Sequence, residues 1–250
     1  MNNKLQISLI LIFLIQLISG CSNESVPECF KNAGATVSYE VAVAEFSSIN
    51  IAEGIELIIK EGAEREVIIE TSENLKGAIS ADITNGELVL RNNTGCNWVR
   101  DYNITKVYVT TPALTHVYSA SQFAVKSHGV LTYPELLLQS GLYGETASGS
   151  FELQVNCISL AIEDNQSIYC KISGAVENLS VSYYSGDARF EGANLIAEKV
   201  QVFHRSSNDI IVNPQQEVKG TIYSTGDLVL VNHPPVIEVG RLYSGALLFR

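Results

Sequence analysis

Basic side chains are scarce in this 250-residue chain: 16 Lys and Arg stand against 27 Asp and Glu, for a formal net charge of −11. Such a surface repels phosphate backbones and anionic headgroups, which makes nucleic-acid binding and electrostatic docking on membranes poor readings. Helical periodicity is also lacking. No window of about 15 residues sustains the 3.6-residue apolar period of an amphipathic helix. Met occurs once, while Val, Ile, Thr and Tyr are abundant and Gly numbers 18, a composition that predicts an all-β fold. After residue 20 no segment has the run of about 20 apolar residues that a helical membrane span requires. Histidine is sparse as well. His116, His128, His204 and His233 are scattered, with no HExxH, serine elbow or paired-ligand spacing, and read as solvated or turn residues. No C-x-x-C supports a zinc site, and no glycine-rich phosphate loop opens a helix. The sequence therefore predicts no cofactor and no catalytic residues.

What is present begins at the N-terminus. Met1 to Lys4 form a short n-region with one positive charge, and Leu5 to Ile18 are apolar apart from Gln6, Ser8 and Gln16. The run ends in Ile18-Ser19-Gly20-Cys21, which matches a lipobox: small residues precede the cut, and the Cys21 thiol takes up the diacylglycerol. Residues 1–20 are thus expected to be a lipoprotein signal peptide, with the mature chain held in the cell envelope by its acyl chains. Each buried methylene contributes about 0.8 kcal/mol, so two or three chains are a firm anchor. The outer membrane is the expected site, with the surface and periplasmic faces both open. Residues 21–36 read as a polar tether, and 37–250 as a single domain.

Four cysteines follow Cys21 in a compartment that permits disulfides, and three pairings are possible. Cys29–Cys96 is favoured, since it would tie the start of the chain to its first sheet and contribute about 4 kcal/mol on the loop-entropy model. Cys157 and Cys170 could pair with each other or remain buried thiols.

Two rhythms divide the domain. In residues 37–112 apolar residues recur at period two, as in Ile55, Leu57 and Ile59 or Ile79, Ala81 and Ile83, the mark of half-buried strands. Asn85-Gly86 predicts a hairpin between Ile79–Ile83 and Leu88–Leu90. In residues 113–250, turn residues recur at Ser121, Gly141, Asn165, Gly186, Asn208, Gly226 and Gly245, at intervals of 18 to 24 residues. Apolar pairs follow most of them, and a second pair lies mid-coil, as in Leu160 and Ile162 or Val200 and Val202. A tyrosine-serine pair precedes four of the turns, at Tyr118, Tyr184, Tyr223 and Tyr243. A period near 20 residues is that of one coil of a parallel β-helix, whose coils bury a continuous apolar column.

On particular residues the chain resembles the bacterial family of auto-transporter adhesins with a head GIN domain, many of them lipoproteins of Bacteroidetes. Glu28-Cys29-Phe30, Phe46-Ser47-Ser48-Ile49, Gly54-Ile55-Glu56-Leu57 and Cys96-Asn97-Trp98-Val99-Arg100 carry the resemblance, followed by Lys106-Val107-Tyr108-Val109 and the serine- and glycine-rich turns. It implies a right-handed parallel β-helix over nearly all of residues 28–250. Where the family often has Ser-Gly-Ser-Gly, this chain has Ser119-Ala120-Ser121, Ser206-Ser207-Asn208 and Ser224-Thr225-Gly226.

Two sets of residues are candidates for a site. If Tyr118, Tyr184, Tyr223 and Tyr243 stack along one edge, their rings form an internal ladder or a platform for sugars. Asp187, Asp209 and Asp227 each follow a turn residue and could line up three carboxylates, as a calcium-dependent polysaccharide-active enzyme would need; ordinary Asx-type turn chemistry is the plainer account. Nearby Arg189 and Arg205 read as solvated partners of those carboxylates. Trp98 and Arg100 read as a structural cap around the disulfide. The expected function is a non-catalytic, adhesin-like envelope module that binds glycan or a surface protein, with an enzyme or an envelope scaffold as alternatives. The anchor is directly testable. Labelled palmitate should enter the wild-type protein, and Cys21→Ala should abolish incorporation and release the protein from membranes; unchanged labelling of that variant would remove the lipid anchor.

Overall fold

The computed structural model describes residues 32–95, 105–143 and 147–250. Cys21, Cys29, Cys96, Trp98 and Arg100 lie outside them. The chain is all-β and forms a β-solenoid of about 6 turns with coils about 21 residues apart, as the repeat predicts. Among the described residues the one helical segment is the 3-10 helix Glu73–Ala78, and no helix is long and apolar enough to cross a membrane.

Each long strand serves two faces of the solenoid. Ser150–Asp164, Tyr169–Tyr183, Arg189–His204 and Ile210–Ile222 lie parallel and in register, with side chains alternating inward and outward along each. Near Ile158 the chain bends, so residues 150–157 belong to one face and 159–164 to the other. On the first of these faces the inward column reads Leu57, Val125, Phe151, Cys170, Phe190, Ile210, Leu228 and Leu247, one residue per coil. All but Leu247 are fully buried. On the opposite face Leu138, Ile162, Val181 and Val202 do the same. Each inward side chain meets apolar neighbours one coil above and below, and burying a Leu- or Phe-sized group contributes about 1.5–3 kcal/mol.

Residues 37–112 belong to the same stack, which is why Ile49, Ile51, Ile55, Leu57 and Ile59 are fully buried. Their order departs from the sequence. The coil made by Ser48–Ile51 and Ile55–Glu61 lies between the coil of Glu87–Asn92 and Thr105–Thr111 and that of His116–Ser119 and Ala124–Leu131. Beyond it the solenoid is closed by antiparallel strands. Ile79–Thr84 covers one face through the Asn85-Gly86 hairpin, with φ of 53° and 78° at the turn, the positive pair a type I′ turn requires. Glu66–Ser72 and Thr36–Glu40 cover the other. Antiparallel pairing at this end directs the parallel edge away from open association.

Cys157 and Cys170 are buried free thiols. Cys170 is in register with Phe151, six residues before Cys157 on the neighbouring strand. Six residues of strand are about 20 Å, far beyond the roughly 5.5–6 Å between the α-carbons of a disulfide. Burial pushes the Cys157 thiol up to about 11 and the Cys170 thiol to about 12, so both stay protonated.

Turns are where coils approach most closely. Gly186 has φ +82°, and a β-carbon there would sit 1.9 Å from the Gln166 carbonyl oxygen. That contact allows no side chain, and the carbonyl cannot retreat because it accepts the Asp187 N–H at 2.9 Å. Gly186→Ala should therefore cost about 2 kcal/mol, read as a lower midpoint of urea denaturation with an unchanged slope; a midpoint equal to wild type would contradict this turn.

Candidate functional site

The register places the sequence-derived candidates apart. Tyr118 precedes the inward-facing Ser119, is itself 2% exposed, and packs on Tyr143 with ring centroids 4.9 Å apart. Tyr184 and Tyr223 instead follow inward-facing residues, Tyr183 and Ile222, and stand outward at 36% and 39% exposure. Tyr243 is one residue further on, because Leu242 occupies the position equivalent to Tyr223: Tyr223 N–H donates to His204 O, and Leu242 N–H to Ile222 O. The four tyrosines therefore do not form one edge. What does form is a strip across three coils, with Phe203 between Tyr184 and Tyr223 at ring-centroid distances of 5.6 and 4.8 Å. Phe203 was missed because no serine follows it.

Asp209 and Asp227 lie on successive coils, but Arg189 fills the slot that the alignment of three carboxylates needed for Asp187. Its guanidinium bonds Asp209 Oδ2 at 3.0 Å, Asn208 Oδ1 at 2.9 Å and Glu191 Oε1 at 2.7 Å. The other Asp209 oxygen accepts from Asp227 N–H at 3.3 Å, and Asp227 Oδ1 from Ala246 N–H at 2.7 Å. These carboxylates fasten one coil to the next. Among the described residues no group of three or more His, Cys, Asp or Glu is arranged to hold a metal ion.

The opposite outer face carries a groove of about 510 Å³. Glu152, Lys171 and Glu191 line it and alternate in sign on successive coils. The register sets opposite charges side by side there, whereas the aromatic strip carries uncharged rings toward solvent.

Directly beneath the strip runs a buried polar column: Ser119, Ser140, Asp164, Tyr183 and His204, one per coil, before Ile222. His204, which reads in the sequence as a solvated or turn residue, is instead a fully buried strand residue, and burial lowers its basicity so that the ring is neutral. Ser140 donates to Ser119 O at 2.9 Å, and His204 Nε2 lies 3.3 Å from Asp227 O. Among the described residues Asp164 Oδ1 and His204 Nδ1 have no hydrogen-bond partner. Burial pushes the Asp164 carboxyl up to about 6, although backbone N–H groups of Gln166, Ile168 and Asn165 pull the other way.

A carboxyl raised in the folded state stabilises that state fully below its unfolded value of about 3.9, and the contribution is lost as pH rises through about 6. At neutral pH the ionised, buried group is a net cost. Asp164→Asn keeps the shape and removes the titration. The stability of this variant relative to wild type should therefore rise by on the order of 2 kcal/mol between pH 4 and pH 7, measured by urea denaturation. A difference that does not change with pH would contradict the buried carboxylate.

Several crystal structures share this architecture. A "putative adhesin" from Bacteroides fragilis superposes with a TM-score of 0.79 at 16% identity, over 88% of this chain and 99% of that one. A "putative lipid binding protein" from Parabacteroides distasonis gives 0.66 at 13% identity over 88% and 98% of the two chains, and a "putative adhesin" from the same species gives 0.65 at 12% over 88% and 99%. At such identities the likeness shows the fold. No curated protein matches the chain. The family model described as "Putative auto-transporter adhesin, head GIN domain" matches residues 45–234, from the first buried strands to the last coils, and the chain belongs to that family.

Proposed function

We propose that this chain is a non-catalytic cell-envelope module of the adhesin type, anchored to the outer membrane through lipid on Cys21, that binds glycan on the outer edge of its solenoid. The observation that carries the reading is the solvent-facing aromatic strip Tyr184, Phe203 and Tyr223, one ring per coil. Sugar rings present flat arrays of C–H groups, which stack on aromatic faces, and tyrosine adds a hydroxyl at the rim. A rigid solenoid holds the rings at fixed spacing, so little ordering entropy is lost on binding. The aspartates support the non-catalytic part of the reading, because Asp209 is neutralised by Arg189 and Asp227 is committed to a backbone N–H.

A protein partner is the second reading. The corner groove of about 340 Å³ lined by Pro134, Ile158, Val176 and Ile196 exposes Ile158 and Ile196 by about half, which suits an apolar anchor from another protein.

The purified mature chain should retain members of a glycan panel equally with calcium and with chelator, and should release no unsaturated sugar ends. Changing Tyr184 and Tyr223 together to Ala should weaken retention by about tenfold, the equivalent of about 1.4 kcal/mol of stacking. Turnover that disappears on removing calcium, or in Asp209→Ala, would overturn the proposal in favour of an enzyme. Retention of a protein from cross-linked cells, with no glycan retained, would favour the second reading.

A further inference from the structure

The edge that carries the aromatic strip also carries a cation. The outward column reads Asn165, Tyr184, Arg205, Tyr223 and Leu242: Tyr184 N–H donates to Asp164 O at 2.8 Å, Arg205 N–H to Tyr183 O at 2.9 Å and Tyr223 N–H to His204 O at 2.7 Å. Arg205 thus stands one coil, about 4.8 Å, from each exposed tyrosine. Phe203 precedes it by two residues and faces the same way, since His204 between them points inward.

Four cations are in ion pairs among the described residues. Arg65 pairs with Glu45, Lys126 with Glu56, Arg189 with Glu191 and Asp209, and Lys219 with Glu217 and Glu238. Arg205 is exposed and, like Lys171, Lys199 and Arg241, is in no ion pair among the described residues; what sets it apart is its place between the two exposed tyrosines, in a chain with 27 acidic side chains. It is a point of reversed field on an acidic surface, and a guanidinium offers a planar fork that matches a carboxylate.

We infer that Tyr184, Arg205 and Tyr223 form a binding site for an acidic polysaccharide. A uronic acid carboxylate meets the Arg205 guanidinium, and the C–H faces of the sugar rings on either side of it lie on the two tyrosines. The inference rests on the glycan reading above and narrows it to a charged class. The tyrosines are two coils apart, about 10 Å, the span of roughly two sugar residues, so alternate sugars stack on the two rings and the residue between them presents its carboxylate to Arg205. Glu163 sets the polarity of the site. It lies beside Tyr184, whose phenol is pushed up by burial and by this carboxylate, and it is held by the Gln139 amide at 2.6 Å. It accepts sugar hydroxyls at the Tyr184 end and turns the uronate carboxylate toward Arg205.

The test uses the mature chain and two probes of equal length, hexagalacturonate and the neutral cellohexaose, titrated calorimetrically at low and moderate salt. Wild type should bind hexagalacturonate about tenfold more tightly than cellohexaose, with the advantage shrinking as salt rises. Arg205→Ala should lose that tenfold for the uronate and less than about twofold for the neutral sugar, and Arg205→Lys should recover part of it. The Tyr184 and Tyr223 double Ala variant should weaken both probes. Unchanged melting temperatures establish that each variant is folded, and a variant that fails to melt cooperatively is replaced by Arg205→Gln. Equal affinity of wild type for the two probes, or an uronate affinity unmoved by Arg205→Ala, overturns the charged site and leaves the glycan reading standing. Failure of wild type to bind hexagalacturonate also overturns the inference, and the glycan panel decides the broader reading separately.

Discussion

Everything in this molecule depends on coils closing in register at the interstrand spacing. At about 4.8 Å per coil, an inward side chain has two principal neighbours, the residues at its own position one coil before and one after. A column must therefore be compatible with itself. Phe151, Cys170 and Phe190 show how: the small thiol separates two large rings that would otherwise fall on adjacent coils. Its burial makes it inert as a nucleophile, so packing rather than reactivity accounts for a cysteine there.

The same rule explains why polar residues can lie inside the corner that carries the aromatic strip outside. The turns bring unpaired backbone groups close to the last inward position, and short polar side chains satisfy them. Ser121 donates to Ile55 O, Ser206 to Ala188 O, and Asp164 accepts from Gln166 N–H. These bonds run between or within turns and hold the corner firm. The outward rings of Tyr184, Phe203 and Tyr223 consequently rest on a fixed backbone, which is what a preorganised binding edge requires.

The solenoid was legible because its signal is a period, and periodic apolar residues report stacking whatever the length of each turn. The hairpin at Asn85-Gly86 was legible for a local reason, the demand for positive φ at both positions. The tyrosine edge was misjudged because one dipeptide occurs in three phases. Ser119 points inward after Tyr118, Tyr183 points inward before Tyr184, and Tyr243 is displaced by one more residue. Only the strand register tells these apart. The aspartates were misaligned for a similar reason: Asp187 and Asp209 follow turn residues by one position each, yet Arg189 is the residue level with Asp209. His204 and Asp164 were hidden because a polar residue at an inward position looks, in sequence, like any turn residue.

The coil order at the N-terminal end constrains how the chain acquires its structure. An ordinary solenoid can grow one coil at a time, each new coil docking on its predecessor. Here Ser48–Ile51 and Ile55–Glu61 are flanked on one side by strands ending at Thr111 and on the other by strands beginning at His116. The first coil made is an inner one, with both surfaces unsatisfied until residues well beyond it arrive. Closing that sandwich spends loop entropy before any stacking is gained, so the slow step of folding belongs to residues 48–131. Later coils, from Ser150 to Phe249, then add to a finished template, so residues 48–131 pace the assembly of the coils that carry the aromatic strip.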